Sequence, residues 1–385
     1  MELQGQSQPA SKPWVDWLAG RIPDPVTRLR FLQMVAPAPE LVEHRKSGLA
    51  QLMLAVVLPA LVAVLALVQT GGYLRPVSKP LQHVTATRAR ISVPANSVWL
   101  VDKSASSEIY SNGLRIDDQF RVSNRPRSYL AFPLDGTKGI RRTEPIGIVF
   151  HATQSRQAPF EADQNRVLKR IGESLLEYVQ RKRAYHFLVD RFGRVYRVVA
   201  ETDSANHAGY SVWADDEWLY INLNQSFLGV AIEAENRPAA DDPELSPGQL
   251  RAVGMLTEML RSVYKIPADH CVTHAQVSVN PSNMLVGYHT DWASGFPFAQ
   301  LGLPDNYAHP LPAIWAYGFE SSPEFSEWAG APLGAGLQAG EAELAAAAES
   351  SGRSLRSYRK LLQNQYRTSL AEVRRANSSE SDDSE

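Results

Sequence analysis

The sequence predicts an α/β domain in which strands and long helices are layered on one another. Three stretches carry this prediction. IGIVFHAT (146–153) and FLGVAIEAEN (227–236) are short apolar runs typical of buried strands, and NRVLKRIGESLLEYVQRKR (165–183) has apolar residues at helical spacing. Strands that alternate with long helices indicate a layered α/β fold.

The composition excludes several classes of protein. The chain has 385 residues, enough for one large or two ordinary domains. Its 39 basic and 41 acidic residues nearly cancel, so no basic surplus argues for nucleic acid as a partner. The single cysteine, Cys271, excludes a disulfide framework and a cysteine-rich zinc module.

An apolar run near the amino terminus predicts a transmembrane helix. Gly48–Val68 contains no charged residue and only one strongly polar one, Gln51. About twenty such residues cross a bilayer core, whereas a buried core helix usually keeps a polar stripe and a cleaved signal peptide follows a shorter leader. Arg45 and Lys46 precede the run and weakly favour a cytoplasmic amino terminus.

The remaining domain boundaries follow from composition and turn signals. The expected order is a cytoplasmic tail (1–47), a single-pass signal anchor (48–69), and a chain that continues on the outer side of the membrane. There we expect a tether (70–91), a β-rich lead-in (92–138), the main domain (139–305), a helical region (306–375) and an acidic disordered tail (376–385). The lead-in is either a separate module or part of the main domain.

Three further stretches complete the main domain. YHFLVDRFGRVYRVV (185–199) predicts a hairpin around Arg191–Arg194. SPGQLRAVGMLTEMLRSVYK begins with Ser246, a good N-cap, and has Pro247 at the first helical position. HCVTHAQV (270–277) predicts a short strand.

Three residues are candidate metal ligands: His151 at the end of the first strand, His274 in HCVTHAQV, and Asp291 in GYHTDWASGFPF. Hydrolytic zinc sites take three ligands from histidine and carboxylate and keep a fourth position for water. Spacing alone leaves alternatives open. A lone His151 could be a hydrogen-bonded core residue, and His270 with His274 forms a rival pair, although a strand would keep those two apart.

Seven blocks of sequence, in order, resemble the type-2 N-acetylmuramoyl-L-alanine amidase family, the zinc amidases related to peptidoglycan recognition proteins. The resemblance runs from about Gly139 to Leu301. It implies a central mixed β-sheet flanked by helices, Zn²⁺ as cofactor, and hydrolysis of the lactyl–L-alanine amide bond in peptidoglycan or muropeptides, with zinc-bound water as nucleophile. The blocks are IVFHATQS, YHFLVDRFGRVYRVV, ANHAGYSVW, LGVAIEAEN, SPGQLRAVGMLTEMLRSVYKIP, VTHAQVS and HTDWASGFPF.

The resemblance also implies roles for individual residues. His151, His274 and Asp291 match the three metal ligands. Glu233 matches the catalytic glutamate, which would take a proton from water and pass it to the leaving amine. Glu235 lies on the same side of the strand and is the reserve candidate.

Two positions depart from the family pattern, and one further histidine matches it. His289 stands where the family has a lysine, two residues before Asp291, and can still donate a hydrogen bond to the oxyanion. Trp292-Ala293 replaces Pro-Gly, which leaves the shape of this loop open. His207, in ANHAG, matches a histidine of the substrate cleft; both a substrate-binding and a structural role are open.

The expected protein is therefore a zinc amidase. The resemblance, together with the apolar run, implies a single-pass anchor in a bacterial cytoplasmic membrane, with the catalytic domain on the outer, periplasmic or cell-wall, side. The alternative is a catalytically weak or inactive peptidoglycan-binding protein on the same fold, since relatives that lose a ligand keep the cleft. A scaffolding protein that works through its carboxy-terminal helices is a third class, but it would not need this set of ligands.

Overall fold

The computed structural model describes residues 96–134, 138–155, 157–235 and 245–382. All of them lie in one compact unit that spans Lys79–Glu385. The expected signal anchor at 48–69, its tail and its tether lie outside the described residues. Within the described ranges, no helix is both long and apolar enough to cross a membrane.

The secondary structure alternates as the sequence predicts. The strands are β1 (Leu100–Lys103), β2 (Ser107–Tyr110), β3 (Arg115–Asp117), β4 (Tyr129–Pro133), β5 (Ile140–Arg142), β6 (Gly147–Ala152), β7 (Phe187–Val189), β8 (Val195–Arg197), β9 (Val212–Ala214), β10 (Trp218–Ile221), β11 (Phe227–Ile232), β12 (Cys271–Thr273), β13 (Val279–Asn280) and β14 (Leu285–Val286). The helices are α1 (Asn165–Lys182), α2 (Leu223–Ser226), α3 (Pro247–Tyr264), α4 (His274–Val277), α5 (Pro312–Tyr317), α6 (Pro323–Trp328), α7 (Ala331–Ser350) and α8 (Leu355–Asp382). Short 3₁₀ turns lie at Ala162–Gln164, Ala268–His270 and Ala299–Leu301.

An eight-stranded mixed sheet forms the centre of the fold, in the order β1-β2-β3-β8-β7-β11-β6-β12. This confirms the expected mixed α/β architecture. Strand β6 is paired in parallel with β11 on one side and β12 on the other. Because the carboxyl ends of parallel strands meet at one edge of a sheet, the residues that follow these three strands are brought together there.

The β-rich lead-in joins this sheet. Strand β3 pairs in parallel with β8, with Ile116 beside Val195. Ile116 is fully buried, and it packs in the same core as Phe150 of β6. Strands β1 to β3 of the lead-in are therefore part of the central sheet.

A second, antiparallel sheet covers one face of the first. It has the order β5-β4-β10-β9. Its residues Tyr129, Trp213 and Tyr220 pack in one buried cluster with Val149 of β6 and Val272 of β12. Helices α5 and α8 contact this second sheet.

The predicted start of α3 is confirmed. Ser246 Oγ accepts a hydrogen bond from the backbone N–H of Gln249 at 3.1 Å, and the Gln249 side chain accepts one from the N–H of Ser246 at 3.1 Å. This reciprocal capping box satisfies donors that a helix start leaves open. Pro247 occupies the first helical turn, where no donor is lost.

The carboxy-terminal region consists of helices α5 to α8. Helix α8 buries Tyr358, Leu362, Tyr366 and Leu370 at spacings of four residues, which places them on one face. Its backbone remains helical to Asp382, which differs from the prediction of a disordered tail over 376–385. A helix that has already formed extends easily, since each added residue contributes one more hydrogen bond.

Candidate metal centre

His151 lies near the carboxyl end of the central strand β6 and is only 1% exposed. It is paired with Ala231 of β11, so it is held by backbone hydrogen bonds from a neighbouring strand. Its Nδ1 atom lies 3.2 Å from Oδ2 of Asp291. The strand therefore delivers this imidazole to a carboxylate 140 residues further along the chain.

His274 reaches the same place through strand register. Thr273, the last residue of β12, is paired with Phe150, so the next residue is level with His151. The two imidazole centroids are 4.4 Å apart. The sequence predicted a strand over 270–277, but His274 begins the short helix α4. Thr273 and Gln276 form a capping box that starts this helix.

Asp291 arrives in a loop and joins the two histidines. Its Oδ1 atom lies 2.9 Å from Nδ1 of His274, while Oδ2 faces His151. Its backbone carbonyl accepts a hydrogen bond from the N–H of Ala275 at 3.1 Å, which ties the loop to the start of α4. Asp291 is buried, with 7% of its surface exposed.

The electrostatics of this cluster favour a cation. Burial lowers the pKa of His151 to about 4, and the neighbouring His274 lowers it further, while Asp291 opposes both effects. Burial acts to raise the pKa of Asp291, but the two histidines hold it well below its usual range. A neutral imidazole and an ionised carboxylate are the forms that bind metal.

The three residues fit a zinc ion. Their ligand atoms all lie within 4.8 Å of one another, and all three residues are buried. Two imidazoles and one carboxylate are a ligand set of catalytic zinc sites, which keep one position open. Within the described residues, no other group of three or more His, Cys, Asp or Glu side chains meets in this way.

The histidines outside this cluster have other partners. His270 Nδ1 lies 2.7 Å from the carbonyl of Ile146, so the rival pair of His270 and His274 does not form a site. His186 is fully buried and its Nδ1 accepts a hydrogen bond from the N–H of Gly229 at 2.9 Å. His186 thus has a structural position.

His207 contacts the first candidate ligand directly. Its Nδ1 atom lies 3.1 Å from Nε2 of His151, on the opposite side of that ring from Asp291. Burial, followed by the positive charge that His151 could carry, lowers the pKa of His207 well below its usual value. The residue that the sequence placed in the substrate cleft is therefore in contact with a ligand.

Glu233 follows strand β11 on the same side as Ala231, because side chains alternate along a strand. Since Ala231 is paired with His151, Glu233 lies on the His151 side of the sheet, one repeat further along. It is 1% exposed, and Oε2 accepts a hydrogen bond from the N–H of Arg191 at 3.0 Å. Burial raises the pKa of Glu233, while the Arg191 hydrogen bond acts to lower it.

His289 and Trp292, which depart from the family pattern, both lie beside the cluster. The exposed ring of His289 stacks on His274, with centroids 4.6 Å apart and planes 20° apart. Trp292 is fully buried with a positive φ of 57°, and its carbonyl accepts a hydrogen bond from the Tyr307 hydroxyl at 2.7 Å. The loop therefore keeps Asp291 at the cluster without Pro-Gly.

One residue of the site, Tyr185, was missed by the sequence analysis. Its ring lies 4.9 Å from that of His151, and its φ of 62° is unusual for a residue other than glycine. Such strained backbone is often found at functional sites. Burial raises the pKa of its hydroxyl, so the hydroxyl remains a donor. No spacing in the sequence connects Tyr185 with His151.

Comparison with known proteins finds one family whose model matches the segment that carries this site. Residues 141–291 match the family model described as N-acetylmuramoyl-L-alanine amidase. No curated protein matches the chain in a sequence search.

Several solved structures are similar to the chain at low identity. AmpDh3 from Pseudomonas aeruginosa, in complex with an anhydromuramic pentapeptide, is 21% identical with a TM-score of 0.32, over 43% of this chain and 64% of that one. AmiD from E. coli, in complex with an anhydro-N-acetylmuramic acid peptide, is 20% identical with a TM-score of 0.32, over 53% and 64%. The amidase LysC from Clostridium intestinale is 21% identical with a TM-score of 0.26, over 41% and 83%.

The chain thus spans somewhat less than two thirds of the length of AmpDh3 and of AmiD, at 64% of each. The family match covers β6, β11 and β12 and all three residues of the cluster. The segment that carries His151, His274 and Asp291 is therefore similar in sequence to the N-acetylmuramoyl-L-alanine amidase family, over residues 141–291.

Proposed function

We propose that this protein is a zinc-dependent amidase that hydrolyses the bond between the lactyl group of N-acetylmuramic acid and L-alanine, in peptidoglycan or its muropeptide fragments. The observation that carries the proposal is the buried cluster of His151, His274 and Asp291, whose ligand atoms lie within 4.8 Å of one another. The match of residues 141–291 to the amidase family model supports the substrate class.

His151, His274 and Asp291 would hold the zinc ion. Bound there, zinc would polarise the scissile carbonyl and lower the pKa of a water molecule toward neutrality. Asp291 offsets the charge of the cation and keeps both imidazole rings oriented toward one point. Burial of all three residues excludes bulk water and so strengthens these interactions.

Glu233 is the proposed general base and acid. Its pKa is raised by burial, which makes it a better proton acceptor than an exposed carboxylate. The N–H of Arg191 holds Oε2, so Oε1 is the atom proposed to receive the proton and to pass it to the leaving amine. Its position beyond Ala231 places it on the same side of the sheet as His151.

His289 and Tyr185 are the proposed donors to the developing oxyanion. His289 is exposed, and stacking on His274 fixes its ring beside the cluster. Tyr185 flanks His151, and its raised pKa keeps the hydroxyl protonated. Donors already in position when charge develops lower the barrier of acyl transfer.

The test is the release of peptide from purified cell wall and from defined muropeptides. We expect mass analysis to find stem peptides with a free amino-terminal L-alanine, together with intact muramic acid. A chelator should abolish release and added zinc should restore it. Binding to cell wall without release would favour the alternative, a peptidoglycan-binding protein on the same fold.

We also propose that 48–69 anchors the chain in a bacterial cytoplasmic membrane with the amidase domain outside. The uncharged run Gly48–Val68 supports this. Protease added to intact spheroplasts should digest the region Val93–Pro310. Complete protection of that region would contradict the proposed location.

A further inference from the structure

The second ring nitrogen of His151 has a partner within the protein. A histidine that binds a metal through one nitrogen must carry its proton on the other, and a hydrogen bond to that proton selects the correct tautomer. Nδ1 of His151 faces Asp291, while Nε2 faces Nδ1 of His207 at 3.1 Å. The partner of Nε2 therefore decides whether Nδ1 is free to bind metal.

The direction of this hydrogen bond is set by a backbone carbonyl. Nε2 of His207 lies 3.4 Å from the carbonyl oxygen of Phe227. Since a carbonyl can only accept, the proton of a neutral His207 is on Nε2, and its Nδ1 has a lone pair. When His151 donates from Nε2 to that lone pair, its own Nδ1 carries no proton and can bind a metal ion together with Asp291.

The position of His207 is itself closely determined. The Asn224 side-chain oxygen accepts hydrogen bonds from three successive N–H groups, those of His207, Ala208 and Gly209, at 2.8, 2.7 and 2.8 Å. On the other side, a Cβ atom added to Gly229 would lie 2.6 Å from Cγ of His207. The imidazole can approach the strand this closely only because residue 229 is glycine.

The other candidate ligand lacks such a partner. Nδ1 of His274 faces Asp291, but its buried Nε2 atom has no hydrogen-bond partner within the described part of the chain. His289 stacks on the face of that ring. The protein therefore orients the two imidazoles by different means.

We propose that His207 is a positioning residue that holds His151 in the tautomer with Nδ1 free for metal, and that Nδ1 of His207 is the atom responsible. This rests on the proposed zinc site but adds a role that does not involve contact with substrate. It replaces the cleft role that the sequence had suggested for His207.

The test compares two substitutions in the full-length chain. His207→Asn keeps an acceptor, since the amide oxygen is attached to Cγ as Nδ1 is, whereas His207→Ala removes it. Competition with a chromogenic chelator should show zinc affinity reduced roughly 10–100-fold in His207→Ala, the usual effect of removing such an outer partner. In His207→Asn the affinity should stay within about threefold of the wild type, because the acceptor is preserved.

A second measurement needs no substrate. With histidines labelled with ¹⁵N, the zinc-loaded wild type should have His151 protonated on Nε2, with that proton slow to exchange with solvent, whereas in His207→Ala the same proton should exchange faster. Circular dichroism and thermal melting establish that both variants fold.

Several outcomes would overturn the positioning role. These are wild-type zinc affinity in His207→Ala, equal loss of affinity in both variants, and a raised KM with unchanged zinc affinity, which would return His207 to substrate binding. A wild-type protein that binds zinc but releases no peptide would overturn the proposed amidase function alone, since these measurements use no muropeptide.

Discussion

The two sides of the candidate metal site differ in what holds the candidate ligands in position. On the strand side (His151, His207 and Gly229), the candidate ligand His151 is part of the central strand β6, and its Nε2 atom contacts Nδ1 of His207. On the loop side (His274, Asp291 and Trp292), one candidate ligand follows strand β12 and the other lies in a loop. The carbonyls of Asp291 and Trp292 accept hydrogen bonds from the N–H of Ala275 and the hydroxyl of Tyr307, and these hold the loop in place.

This difference predicts how each side responds to substitution. On the strand side, neighbouring strands leave no room for the backbone to move. An added atom there is expected to displace His151 or the His207 ring that contacts it. On the loop side, the geometry depends on a few separate hydrogen bonds, each of which contributes about 1 kcal/mol. We expect an added side-chain atom on the strand side to lower stability and zinc affinity strongly. On the loop side, each lost hydrogen bond should lower them by a small amount.

The largest effects on zinc content and activity should come from substitution of the three proposed ligands, on either side of the site. The purified protein should bind about one zinc ion per chain, as a mononuclear catalytic site does. Substitution of His151, His274 or Asp291 by Ala should remove zinc and activity together, as measured by metal analysis and muropeptide release. His270→Ala is the control that should keep its zinc. Full metal content in His151→Ala would show that the strand side holds no ligand.

The next largest effect should come from His289, beside the loop-side ligand. His289→Ala should lower kcat on the order of a hundredfold, the scale for loss of an oxyanion donor, without loss of zinc. His289→Lys keeps a donor and should retain activity. A near-normal kcat in His289→Ala would mean that the ring only packs on His274.

Gly229→Ala tests the crowding on the strand side. The added Cβ would lie 2.6 Å from the His207 ring, and overpacking of this kind costs about 1–3 kcal/mol of unfolding free energy. We expect reduced stability in denaturant titrations and weaker zinc binding. Gly254→Ala is the matched control, since its nearest atom would be 3.8 Å away; in a helix this change should add roughly 0.5–1 kcal/mol. Equal behaviour of the two variants would argue against close packing at Gly229.

His186 should make the strand side sensitive to acid. Burial, and next the charge of Arg127, hold the folded-state pKa of His186 well below 6.5. Below about pH 6.5 the unfolded chain therefore binds a proton that the folded chain does not, and stability falls as the pH is lowered, by at most about 1.4 kcal/mol per pH unit for this group. Above that pH the contribution is complete.

His186→Asn keeps an acceptor for the N–H of Gly229 but cannot titrate. Urea titrations of the metal-free protein between about pH 7.5 and pH 5 should give a smaller loss of stability for this variant than for the wild type. The same pH dependence in both proteins would rule out a contribution from His186.

The smallest effect should come from Tyr307→Phe on the loop side. This change removes the hydrogen bond that the Tyr307 hydroxyl donates to the Trp292 carbonyl and the longer one, 3.3 Å, that it accepts from the N–H of Phe296. A loss on the order of 1 kcal/mol in unfolding free energy is expected. Zinc affinity should fall modestly, because Asp291 directly precedes Trp292. Tyr178→Phe, at a side chain that is 50% exposed, should change neither quantity. A loss of zinc as complete as that of a ligand substitution would show that the loop side is no more tolerant than the strand side.

Local pattern accounts for much of what the sequence predicted correctly. The helix from Pro247 was recognisable from Ser246, and the hairpin of β7 and β8 from its central turn, because caps and turns depend on adjacent residues. The candidate ligands came from the resemblance of short blocks, and the structure brings His151, His274 and Asp291 together. Their roles as zinc ligands stay predictions.

Only the tertiary structure decided how these pieces meet. The contact of His207 with His151 joins residues 56 positions apart, and it requires both the three hydrogen bonds of Asn224 and the missing side chain of Gly229. Tyr185 comes beside His151 in a strained conformation that no local pattern indicates. The sequence by itself determined which segments become strands and helices and which residues are suited to bind a metal. Strand register and close packing decided which nitrogen faces which atom, because such contacts depend on distances between segments that are remote in the chain.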